Sequence, residues 1–169
     1  MVAMLLTAAS AEATNYTWTG STNSNWDTAT NNWSGSFVSG SGNSATFNLG
    51  SPMNVTLTTG ITLNGITFGT SNTTIGGNTL TFSGTSPTLS VGTGITATIT
   101  SAVAGTVGIT KTGAGTLVLG SANSFSGGFN LNVGSVQVGN ATALGGNVVA
   151  MASGTTLSTN GTSPLTLAN

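Results

Sequence analysis

Between Gly108 and Gly139 the chain reads GITKTGAGTLVLGSANSFSGGFNLNVGSVQVG. Three short apolar alternations stand in it: Leu117 with Leu119, Leu131 with Val133, and Val136 with Val138. Residues two apart on an extended chain point to the same face, so each pair predicts a strand of a few residues with one buried side. Val118, Asn132 and Gln137 fall between the paired residues and are expected to face outward. Gly120, Gly127-Gly128 and Gly134 separate the pairs where the chain has to turn, and glycine turns without a Cβ penalty. Very short inward pairs, turned again and again, describe the rungs of a β-solenoid.

The same stretch resembles the autotransporter-associated β-strand repeat, also called the passenger-associated transport repeat. Gly108, Lys111, Gly113, Gly115, Thr116, Leu117, Leu119, Gly120, Asn123, Gly127, Gly128, Leu131, Gly134 and Val138 fall in register with that pattern. Ile109, Phe125, Phe129 and Val136 are mild departures from it. The resemblance covers one repeat. It implies an exported, right-handed parallel β-helix, no enzyme activity, a type V secretion route, and an outer-membrane translocation barrel or surface anchor encoded elsewhere in the full protein. By the same resemblance Lys111 is a repeat position, read as a charge that discourages strand-to-strand aggregation at an edge.

Composition supports an all-β reading and removes several function classes. Only 2% of the 169 residues are charged and 26 are Gly, whereas ordinary domains carry about a quarter charged residues. The solvent-facing side chains are therefore mostly Thr, Ser and Asn, and Thr suits a sheet surface. One Lys and no Arg cannot form the basic stripe that nucleic acid requires. Cys and His are absent, so no disulfide, zinc site or Cys- or His-based nucleophile is expected. Glu12 and Asp27 are the only acids, too few for paired-carboxylate chemistry or a calcium loop. No cofactor and no metal is expected. No apolar run reaches the roughly 20 residues that span a bilayer as a helix.

In chain order, Met1 to Ala13 is apolar and ends in Ala11-Glu12-Ala13. This is read as the back half of a Sec signal peptide with the exported protein beginning at Thr14; the alternative is an apolar first element of the mature fold. Residues 14–50 hold all three Trp and the only Tyr, as Tyr16, Trp18, Trp26 and Trp33, and resemble the segment that precedes such repeats in long exported proteins. The favoured reading is an N-terminal aromatic cap over the first rung. The alternative is a carbohydrate-binding or adhesin surface, with Trp18, Trp26 and Trp33 stacking on surface glycans and Asp27 as polar anchor.

Residues 51–169 continue with period-2 pairs: Val55/Leu57, Ile61/Leu63, Ile66/Phe68, Leu80/Phe82, Leu89/Val91 and Ala97/Ile99, then Val148-Val149 with Met151, Leu157, and Leu165/Leu167. Regular strand and turn signals with no helical period exclude an α/β fold; a sandwich of short strands is the alternative that periodicity alone leaves. No closing cap follows Leu167. The expectation is that Asn169 is not the natural end and that the isolated chain associates through its last rung. Thr pairs at 56/58, 79/81, 96/98 and 110/112 raise ice binding as a remote alternative, against which stand the unequal gaps between them. The overall reading is a secreted or cell-surface structural β-solenoid, a rigid stalk that supports export.

Overall fold

The computed structural model describes residues 13–146, 148–161 and 166–167. The signal segment read at residues 1–13 lies outside them except for Ala13, as do Leu165 and Asn169. Among the described residues there is no helix, and every named strand pairs in parallel. The chain winds as a three-sided β-solenoid.

The first side is a seven-stranded sheet in the order β1 (Asn15–Thr17), β3 (Ser44–Phe47), β6 (Gly65–Phe68), β9 (Thr88–Val91), β12 (Ile109–Thr112), β14 (Phe129–Leu131) and β16 (Val149–Met151). The second has seven strands: β2 (Asn25–Trp26), β4 (Met53–Leu57), β7 (Thr73–Gly77), β10 (Thr96–Ile99), β13 (Thr116–Leu119), β15 (Ser135–Val138) and β17 (Thr156–Thr159). The third is shorter, with β5 (Ile61–Leu63), β8 (Leu80–Phe82) and β11 (Val103–Ala104). From β4 to β12 the chain visits second, third and first side in turn. Register partners recur after about 20 residues, at the short end of solenoid repeats.

Inward side chains stack in columns. On the second side Val55, Ile75, Ile99, Leu119 and Val138 are successive Cα partners and all are buried. On the third, Ile61 lies on Leu80 and Leu63 on Phe82. One cluster of apolar residues fills the prism from Trp18 to Leu144. Burying such area is worth about 25 cal/mol per Å², and each rung supplies it only together with its neighbours.

Three expectations are corrected by the register. Val133 is 45% exposed, and the inward pair of β14 is Phe129 with Leu131. The strand ends at Leu131 because Gly134 turns the chain with φ of 79°. Phe129 sits in a column with Ile109 and Val149, and its ring meets that of Phe125 at 6.2 Å, so two of the departures from the repeat pattern pack on each other. Val118 does face away from the core cluster, yet it is buried, lying between its rank partners Thr98 and Gln137. Val148 is exposed, and its strand starts at Val149.

The turns explain two glycines. Gly113 has φ of 73°, and a Cβ there would lie 2.2 Å from the carbonyl oxygen of Val91. At Gly127 a Cβ would lie 2.0 Å from the nitrogen of Gly108 one rung below. Both positions exclude any side chain. Past β11 the third side is carried by Asn123 instead of a strand. Its amide accepts from Val103 N–H at 2.8 Å and donates to Ala143 C=O at 2.6 Å, joining three consecutive rungs.

Candidate functional site

Three places concentrate the unusual side chains: the aromatic segment, the turn at Asp27, and Lys111.

The aromatic segment occupies one end of the stack, where β1 and β2 are the first strands of their sheets. Trp18, Trp26 and Trp33 are 2%, 0% and 3% exposed. Trp26 and Trp33 have ring centroids 4.9 Å apart, and Phe37 stacks on Trp33 at 4.8 Å. Phe47 passes the stack on to Phe68 at 5.6 Å. Sugar stacking needs a free ring face, and these three indoles have their faces in the core. The polar partner of the segment is Asn32, fully buried. Its Oδ1 accepts from the N–H groups of Thr22 and Asn23, and its Nδ2 donates to Asn23 Oδ1 and Asn25 C=O. Sequence reasoning passed over it among many Asn; its only signal is its place beside Trp33.

Asp27 closes the turn after β2. Its carboxylate accepts from Ala29 N–H at 2.9 Å, Thr30 N–H, Thr30 Oγ1 at 2.8 Å and Thr58 Oγ1 at 3.0 Å. The Thr30 N–H foremost, with the other donors, holds its pKa below the ordinary 3.8 against a smaller effect of burial. It is the only carboxylate among the described residues. The turn consumes the bonding capacity that a sugar anchor would need.

Lys111 is not at an edge. It is a central residue of β12, facing inward, with Leu89 and Leu131 as its Cα partners on either side. The stem lies in the apolar column and the ammonium reaches the corner. There Nζ donates to Thr112 C=O at 2.9 Å, Gly113 C=O at 2.7 Å and Val133 C=O at 3.1 Å. Three donors meet three acceptors, which satisfies the group. Burial lowers its pKa from 10.5 to about 8, and the three carbonyls favour the charged form at neutral pH. The amine thus clips the Gly113 corner to the next rung. An inward Lys in an apolar alternation is legible only when period 2 is read through it from Ile109.

Residues 109–138 match the family described as Passenger-associated-transport-repeat. The chain carries a passenger-associated transport repeat. In this repeat Lys111, Gly113, Asn123 and Gly127 are the positions just described, so the pattern encodes the corner clip, two close turns and the amide bridge. The chain is also similar to the adhesin BmaC autotransporter of Brucella suis biovar 1 (strain 1330), 37% identical over 147 residues. That alignment takes in 80% of this chain and 4% of the relative, so the chain spans a small fraction of the curated protein it matches. No solved structure matches it. The repeat and this relationship imply a secreted or cell-surface location.

Proposed function

We propose that this chain is a structural segment of an autotransporter-like passenger: a rigid stalk, with no reaction of its own, whose rung-by-rung folding supports export. The observation that carries this reading is the single apolar cluster that runs through the stacked rungs from Trp18 to Leu144, joined to a transport repeat. Each rung buries apolar area only against the one before it, so folding outside the cell proceeds by addition and disfavours return. On this reading residues 1–13 are the signal segment, 14–50 close the first rung, and 51–169 are the stalk. A translocation barrel or anchor lies elsewhere in the full protein. Adhesion, which the name of the Brucella relative carries, would use outward side chains here, because the Trp faces are in the core.

The test is surface display. The segment is joined to a complete signal and an autotransporter barrel, and surface arrival is read by antibody and by protease resistance. The expected result is protease-resistant display that Leu117→Asp sharply reduces, since a charge in the column breaks stacking. Equal display of the Leu117→Asp chain would contradict a folding-assisted export role.

A further inference from the structure

The outward side of the first sheet has a regularity that the stalk reading does not use. Thr17, Thr46, Thr67, Ser90 and Thr112 are successive Cα partners on β1, β3, β6, β9 and β12. Two residues earlier on the strands runs a second rank: Ser44, Gly65, Thr88, Thr110 and Asn130. In-register parallel strands place such side chains about 4.8 Å apart along the stack and about 6.6 Å apart along each strand. The unequal gaps between the Thr pairs of the sequence are not spacings of this face; its own rank stays in Cα register from strand to strand while the corners between strands vary in length. The sequence-level Thr pairs themselves are split: Thr96 and Thr98 lie on the second side, Thr81 on the third, and Thr110 and Thr112 on the first.

We propose that this face binds ice. Its two-dimensional repeat is close to the oxygen spacings of hexagonal ice in both directions. The hydroxyls of Thr67, Thr88, Ser90, Thr110 and Thr112 make no side-chain hydrogen bond among the described residues, whereas Ser44 and Thr46 at the aromatic end donate to Asn15 Oδ1. Thr holds its hydroxyl and methyl rigidly at χ1, and the strands beneath are fixed by the packed columns. Among the described residues no charged side chain stands on this face: Asp27 lies in the turn after β2 and Lys111 points inward. A single hydroxyl gains little by exchanging one water for another, so attachment depends on many groups matching the lattice at once. The second side carries one hydroxyl rank, Thr96, Thr116, Ser135 and Thr156, but its middle rank reads Asn54, Thr74, Thr98, Val118, Gln137 and Ser158, mixed in size and chemistry, so it does not pair two ranks as the first side does.

The experiment is ice recrystallisation inhibition with thermal hysteresis on the purified full chain. Three variants accompany it: Thr67→Tyr and Thr112→Tyr, which interrupt the rank on two different strands, and Thr98→Tyr on the second side. Tyr is well accepted on strand surfaces, and circular dichroism checks each fold. The expected result is inhibition by the parent chain, at least a tenfold higher concentration needed for a folded first-side variant, and an unchanged Thr98→Tyr. Absence of inhibition by the parent overturns the proposal, as does an equal loss in the Thr98→Tyr control. Neither result bears on surface display, so the stalk reading stands or falls separately.

Discussion

At the scale of single residues the two described charges both make stability rise with pH, Asp27 in the acid range and Lys111 in the alkaline range. Lys111 has a folded pKa of about 8 against 10.5. Between these values the unfolded chain binds more protons, so stability rises with pH across that window and is flat from this group below it. The rise is about 3 kcal/mol at most, because the carbonyl bonds to the ammonium act against it. Chemical denaturation from pH 7 to 11 checks the sign, and Lys111→Met is expected to remove the slope. Asp27 has a lowered pKa. Its contribution is full above the unfolded value and is lost as pH falls through the folded one. Asp27→Ala is expected to cost about 1 kcal/mol near neutrality, as for a lost cap, and to flatten the acid limb. Both roles eluded the sequence for one reason: each charged side chain bonds a turn beside it together with one group on the next rung, Thr58 for Asp27 and Val133 for Lys111, and that juxtaposition exists only in the stack.

At the scale of elements the columns and the bridges divide the work. Leu131→Ala is expected to cost about 2–5 kcal/mol as a buried truncation. Val133→Thr, at an exposed corner, is expected to stay within about 0.5 kcal/mol. This contrast, read from urea midpoints, checks the corrected register of β14 directly. Asn123→Ala is expected to cost about 1–3 kcal/mol, since it leaves Val103 N–H and Ala143 C=O buried without their partner. The inward pairs of β4, β5, β6, β8, β9 and β10 were legible because apolar residues alternate with Thr or Ser, whereas β7 was not, since its inward Ile75 is flanked two residues away by Thr73 and Gly77 instead of a second apolar side chain. Leu131 to Val133 was misassigned because Asn132-Val133-Gly134 continues the alternation into a turn, and period 2 alone does not mark where a strand ends. The pairing of Phe125 with Phe129 was hidden for the same reason: the two belong to different sides of one rung.

At the scale of the whole molecule, composition and architecture explain one another. A chain with 2% charged residues has few surface charges with which to resist association, and it folds by layering short apolar pairs instead of enclosing a globular centre. The aromatic segment concentrates large side chains at one end of the stack, and Trp26→Ala is expected to cost about 3–5 kcal/mol there, measured by thermal or urea unfolding. Parallel stacking was legible from the repeat pattern, and the alternation by itself left a sandwich open. Chain-wide register decides between them, and the absence of Cys makes it accessible to one measurement. In the solenoid Thr67 and Ser90 are Cα partners on adjacent parallel strands, within the 4.4–6.8 Å that a disulfide spans at roughly its usual Cα separation. The double variant Thr67→Cys with Ser90→Cys is predicted to oxidise readily to an intramolecular disulfide. Thr67→Cys with Thr98→Cys, on different sides of the prism, is predicted to stay reduced under the same conditions. Efficient closure of the second pair, or failure of the first in a folded chain, would contradict the stacked parallel register on which the account rests.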